Sequence, residues 1–282
     1  MLKPQGTVIF GYCVENRRPY QNIEREFLER TVKLHLDQNV PCTFFIVGKT
    51  LEQNRAVFRN LLPRRSTLFD LQHHTYGHIY YDRVPQCHIG GGNREVASVN
   101  EIEKDLRDVA AVFSHVLGKK PEGMVTPVGF YRGLLGRPEI LNRLNKQNIK
   151  FVTSWNRNKK GWKPLRFSVQ PFWYDRANEN LPQMLEIPSQ GWEDGLWREK
   201  FGEKNDSGYR SYLKRTINLL SKKKLSWGFI AHDYIMCKYQ NYNNFEYLFK
   251  EASKKNVRIL NYKQFYMEQE VLRSKSVGVK VL

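Results

Sequence analysis

The chain has little that would staple it, anchor it or balance its charge. Its four cysteines, Cys13, Cys42, Cys87 and Cys237, are scattered over 282 residues with no C-x-x-C pair. That argues against a disulfide scaffold and for a reduced, cytosolic protein. No apolar run approaches the ~20 residues of a membrane helix; the run 227–231 is among the longest. The start, Met1-Leu2-Lys3-Pro4-Gln5-Gly6, shows no basic segment, apolar segment or cleavage site of a secretory signal, so a cytoplasmic location is expected. Acidic residues are scarce: 28 stand against 46 Lys and Arg, giving a formal charge of +18. A basic chain suits nucleic acid, an anionic glycan or an anionic leaflet, or simply has a solvated basic surface, because the charge is spread rather than blocked. Helix-turn-helix, zinc-finger and RNP-like patterns are all missing, which makes a nucleic-acid module the weaker reading. There is no internal repeat and no clear linker, and 40% hydrophobic residues suffice for a full core. A single domain over 1–282 is expected.

What is present is an alternation of short apolar runs and amphipathic stretches. Strands are predicted over 7–10, 42–47, 68–71, 123–126, 149–153, 185–187, 227–231 and 257–260. Helices are predicted over 23–36, 51–62, 98–117, 136–146, 209–221 and 245–254. The helix at 98 has a capping-box signature, Ser98 with Glu101 three residues on, and Gly118 to close it. A glycine-rich loop, Gly90-Gly91-Gly92-Asn93, precedes it. Strands alternating with helices imply a parallel sheet, and the number of units suggests closure into a distorted (β/α) barrel.

In such a fold, chemistry collects at the carboxyl ends of strands. Three histidines fall there: His74 and His78 after the run at 68–71, and His232 after 227–231. His74 and His78 are four apart, so on a helical turn they would share a face and converge on one metal ion. Cys13 and Glu15 follow the first strand; Gln190, Trp192, Glu193 and Asp194 follow the strand at 185; Asp233 follows His232. Each has a plainer reading. Cys13 suits a small buried core position, and Glu15 a surface carboxylate paired with Arg17 or Arg18. His73 is a neighbour, and His88 beside Cys87 is poorly spaced for a second metal site.

With these residues in place, the chain resembles the polysaccharide deacetylases with a NodB-type homology domain, over roughly residues 7–265. Thr43-Phe44-Phe45-Ile46-Val47-Gly48 resembles a structural strand of that family. His74-Thr75-Tyr76-Gly77-His78 resembles its metal-binding H-T-x-x-H motif, and Thr126-Pro127-Val128-Gly129-Phe130-Tyr131 its R-x-P-x-G motif. Glu186-Ile187-Pro188-Ser189-Gln190-Gly191-Trp192 resembles a wall near the substrate, and Ala231-His232-Asp233 the motif whose histidine is the general acid. The resemblance implies removal of acetyl groups, N-linked ones first, from a sugar or polysaccharide precursor, by means of a divalent metal. Zinc is the first expectation, with cobalt, iron or nickel as other fits to the donors. It implies Pro127, Tyr131, Trp192 and Asp194 as substrate contacts.

The chain also departs from that family. Related first strands read G-Y-D-V-E, whereas this one reads Gly11-Tyr12-Cys13-Val14-Glu15, so Cys13 stands where an aspartate is expected. Val125 stands in place of the arginine that pairs with that aspartate. Physical coupling predicts joint loss, since an arginine without its carboxylate would be a buried unpaired charge. Two outcomes are consistent with this. In one, Cys13, His74 and His78 hold the metal, Glu15 is the base, and His232 is the acid with help from Asp233 or Asp194. In the other, the protein is a catalytically impaired relative that binds a glycan or a partner protein.

Overall fold

The computed structural model describes residues 5–16, 23–61, 67–83 and 95–278. The loop at 90–93, Cys87, His88, Arg17 and Arg18 lie outside them. In chain order the elements are β1 (Thr7–Val14), α1 (Glu24–Gln38), β2 (Cys42–Ile46), α2 (Gly48–Gln53), α3 (Arg55–Leu61), β3 (Phe69–His73), α4 (Val99–Leu117), β4 (Gly123–Tyr131), α5 (Pro138–Lys146) and β5 (Phe151–Arg157). Then follow β6 (Phe172–Trp173), α6 (Tyr174–Ala177), β7 (Leu185–Glu186), α7 (Asp194–Phe201), α8 (Asp206–Lys223), β8 (Ser226–His232), α9 (Asp233–Tyr239), α10 (Tyr242–Lys254), β9 (Arg258–Leu260) and α11 (Tyr262–Gly278).

The strands form one sheet in the order β6-β7-β5-β4-β3-β2-β1-β8, with β9 also pairing β1. All pairings are parallel except β6 with β7. β1 shows how the layers arise. Its side chains alternate with the strand period of two. Val8, Phe10, Tyr12 and Val14 pack with Phe27 and Leu28 of α1 and Phe245 and Phe249 of α10. Ile9 and Cys13 point the other way and join Phe45, Val125, Ile187 and Ile230 in the barrel interior, which Tyr262 and Phe265 of α11 also fill. The sheet curls until Ser189, just past β7, bridges Gly228 of β8. Gln190 completes the seam: its Oε1 accepts from the Gly228 N–H at 2.7 Å and its carbonyl from the Trp227 indole at 2.7 Å. A Cβ on Gly228 would lie 2.2 Å from the Pro188 carbonyl oxygen, so only glycine allows this approach. The distorted (β/α) barrel read from the sequence is therefore the fold.

The capping box is present: Ser98 Oγ accepts from the Glu101 N–H, and the Glu101 carboxylate accepts from the Ser98 N–H. The predicted helix over 51–62 is instead two helices broken at Asn54, whose side-chain amide donates to the Thr50 carbonyl at 3.1 Å and competes with the helical ladder. The sequence reading missed β6, α6, α7 and α11, and it missed α9, which begins directly after β8. Among the described residues no helix is long and apolar enough to cross a membrane. Cys13, Cys42 and Cys237 are free thiols.

Candidate active site

The same alternation that puts Cys13 inside the barrel puts Glu15 on its side of the chain, at the mouth. On β8, Ile230 and His232 share the inward face, and β1 and β8 pair Cys13 opposite His232. β3 delivers His74 to the mouth, but the two histidines are not on a helical turn as expected. The segment after β3 is irregular, with Thr75 at φ 59° and His78 at φ 56°, both left-handed. Non-glycine residues pay for that conformation, and the surroundings hold it. The Asp105 carboxylate of α4 accepts from the Tyr76 N–H at 2.7 Å and the Gly77 N–H at 2.8 Å. The ring centroids of His74 and His78 end 4.8 Å apart.

Glu15 lies between them. Its carboxylate is 3.3 Å from His74 Nε2 and 3.7 Å from His78 Nε2, and its side chain is 5% exposed. The third donor beside the histidines is thus the Glu15 carboxylate rather than the Cys13 thiol; Cys13 is grouped with Glu15 and His232 instead. Hydrogen bonding fixes the tautomer of His74. Nδ1 lies 2.8 Å from the Val125 carbonyl, so Nδ1 carries the proton. Burial lowers the pKa of His74, only partly offset by Glu15, which keeps the ring neutral. A neutral Nε2 lone pair then faces a carboxylate oxygen at 3.3 Å, an arrangement of two acceptors that a cation would satisfy. Glu15, His74 and His78 therefore fit a divalent metal, and a carboxylate with two imidazoles suits zinc and its neighbours.

Cys13 fits neither of its assigned roles as well. Its thiol is 3% exposed, and burial, with Glu15, Glu193 and Asp233 adding, pushes its pKa well above the ordinary range. A neutral thiol is a poor base. Asp233 is buried behind the site: it accepts from the Glu15 N–H at 2.8 Å and the Asn16 N–H at 3.2 Å, which fixes the end of β1. Burial raises its pKa to about 7.

The partner of His232 is Asp194. This fully buried carboxylate accepts from the His232 N–H at 3.1 Å and lies 3.1 Å from Nδ1. Burial alone would lower the imidazole pKa, but the Asp194 hydrogen bond and charge, joined by Glu15 and Glu193, lift it to about 9. The imidazole is therefore a cation at neutral pH, its Nδ1–H held by Asp194.

These groups line a cavity of about 380 Å³ that holds Cys13, Glu15, His74, His78, His232 and Val125, a size suited to a small-molecule group. None of the four expected substrate contacts lines it. Asp194 is behind His232. Trp192 packs against Trp197 and Phe201 beneath α7. Tyr131 is exposed at the end of β4, edge-on to Trp155. Pro127 precedes the bulge at Val128 and Gly129, and Val128 lines the cavity instead. The sequence reading missed Asn156, Arg157, Lys163, Tyr234 and Tyr239 in the lining, and it named Glu193 at a strand end without giving it a role. Arg157 is 3% exposed and donates to the carbonyls of Val128, Gly129 and Gly161, bracing the bulge. Its place at the end of β5 was the available signal, obscured by the basic run around it.

The curled barrel with donors at its mouth has counterparts among known proteins. A family model described as polysaccharide deacetylase matches residues 19–152, a span that holds His74 and His78 but neither Glu15 nor His232. The resemblance to the polysaccharide deacetylases is thereby shown over that span. No curated protein sequence matches the chain. Among solved structures, the fold is similar to that of a Mycobacterium smegmatis protein assigned to the polysaccharide deacetylases, with TM-score 0.68 and 13% identity over 96% of this chain and 92% of that one. It is similar to a family 4 carbohydrate esterase from Streptomyces lividans in complex with acetate, with TM-score 0.52 and 9% identity over 90% and 92%. It is also similar to a mutant of BA3943, a CE4 family pseudoenzyme with restored enzymatic activity, with TM-score 0.52 and 11% identity over 93% and 68%.

Proposed function

We propose that the protein is a metal-dependent hydrolase that removes an acetyl group, N-linked, from a sugar or polysaccharide precursor. One observation carries the reading: a three-donor cation site and an aspartate-held imidazolium share one cavity at the carboxyl ends of β1, β3 and β8. Glu15, His74 and His78 would hold the metal. When bound, a divalent cation supplies Lewis acidity, lowering the pKa of water and polarising a carbonyl. The chain's own groups do the rest. Asp105 and Asp233 fix the backbone on either side of the donors, so the site is organised before anything binds. Asp194 holds the Nδ1–H of His232, which leaves Nε2–H as the proton for a departing amine. Tyr234, its ring centroid 5.6 Å from that of His232, supplies an aromatic wall for a pyranose. The carbohydrate esterase with a similar fold was solved with acetate, which supports the acyl product.

A specific observation favours a second reading, that of an impaired homologue that binds without cutting. Cys13 is a neutral buried thiol where a carboxylate base is expected, and a fold neighbour is a CE4 family pseudoenzyme.

The test is acetate release from N-acetylglucosamine oligomers by zinc- or cobalt-loaded protein. Metal-dependent release, lowered ~10²-fold or more in His232→Ala, is the expected result. Oligomer binding without acetate under any of these metals would favour the second reading.

A further inference from the structure

The cavity contains an ion pair that the family resemblance does not assign. Lys163, on the loop between β5 and β6, places Nζ 3.0 and 3.2 Å from the two carboxylate oxygens of Glu193. Their side chains are 14% and 8% exposed. Glu193 occupies the N-cap position of α7, yet its side chain does not cap that helix. It turns into the cavity instead, where Ser189 Oγ donates to it at 3.2 Å. A buried ion pair contributes little net stability once desolvation is counted, so stability does not account for it. Its location does. Both charges act on the thiol of Cys13, the position where the base aspartate is missing, and the arginine that would have paired with that aspartate is replaced by Val125. Arg157 and His232, both cations, also act on Glu193.

We propose that Glu193 is the general base of this site and that Lys163 is the positioning residue that holds its carboxylate, a relocated substitute for the pair lost at Cys13 and Val125. The assignment rests on the hydrolase reading above. Glu193 takes a proton from water as the water oxygen bonds to the acyl carbon. The C–N bond then breaks as His232 Nε2 gives its proton to the nitrogen. Proton transfer from Glu193 to His232 restores both groups, and acetic acid leaves with the free amine, the two sharing the remaining proton.

The experiment compares wild type with Glu193→Gln, Lys163→Met, Lys163→Arg and Glu193→Gln/Cys13→Asp, each loaded with zinc. Zinc content and calorimetric binding of an N-acetylglucosamine oligomer are measured alongside acetate release. Glu193→Gln keeps zinc and oligomer binding but loses ~10²- to 10⁴-fold in rate, and Cys13→Asp, which gives Lys163 a new carboxylate, recovers at least ~10-fold of it. Lys163→Met moves the acid limb of the rate profile up by about one pH unit or more, and Lys163→Arg leaves it in place. Hydrolysis by wild type with Glu193→Gln within about threefold of it would overturn the assignment and leave the hydrolase reading standing. A wild type that binds zinc and oligomer but releases no acetate would overturn both.

Discussion

Replacing His35 by glutamine removes a titration while keeping the shape of a hydrogen-bonded core group. His35 is fully buried on α1. Its Nδ1 donates to the Val40 carbonyl at 2.8 Å, so its Nε2 accepts from the Tyr12 hydroxyl at 2.9 Å. Phe10, Phe69 and Phe249 surround the ring. Burial lowers its pKa from 6.5 to about 4, with the Val40 bond opposing only in part. The sign follows from linkage. Above the unfolded pKa the ring is neutral in both states and titration contributes nothing. Below it, only the unfolded chain takes up the proton, so stability falls as pH falls toward the folded value. Between about pH 7.5 and pH 5 these two pKa values give a loss of about 2 kcal/mol from this residue. Other buried groups titrate over the same range, so the observable is the difference between wild type and His35→Gln in urea unfolding, with chelator present to remove metal linkage. Wild type should lose about 2 kcal/mol relative to the variant across that interval. Parallel loss in the two proteins would refute the argument that His35 is held neutral by burial.

Two further outcomes follow from particular contacts. Asp194→Asn removes the charge behind His232, so in metal-free protein the imidazole should titrate at least about one unit below its wild-type value by NMR, and an unchanged titration would contradict the pairing. Gly228→Ala forces a Cβ against the Pro188 carbonyl at 2.2 Å and should cost about 1–3 kcal/mol, read as a lower melting temperature. Gly136→Ala, with nothing within 4 Å, should be near neutral, and equal effects at the two sites would sink the close-packed seam.

Residues whose role follows from local pattern were legible in the sequence. The apolar run 7–10 marked β1, although the strand extends to Val14, and the capping box marked the start of α4. His74, His78 and His232 were found because strand ends concentrate polar groups in a parallel barrel. Their geometry was not legible. A helical turn was the natural way to bring residues four apart together, but the chain uses two left-handed residues clamped by Asp105, a partner 27 residues beyond His78. Roles set by tertiary pairing were also hidden. Asp194 and Asp233 are adjacent in kind and position at strand ends, and only packing shows that one holds the imidazole of His232 and the other the backbone of β1. Trp192 suggested a sugar platform, yet Trp197 and Phe201 of α7, a helix the sequence did not disclose, give it an apolar place to pack. Lys163 lies in a basic run that reads as solvated surface, and nothing local indicates that Glu193 buries it.

The central claim is that Glu15, His74 and His78 form a metal site at the barrel mouth. Metal content by mass spectrometry after reconstitution with zinc tests it most directly, in wild type, Glu15→Gln, His74→Ala and Cys13→Ser. The account predicts about one zinc per chain in wild type and in Cys13→Ser, and loss in the other two. Retention by Glu15→Gln with loss in Cys13→Ser would contradict it and return the third ligand to the thiol.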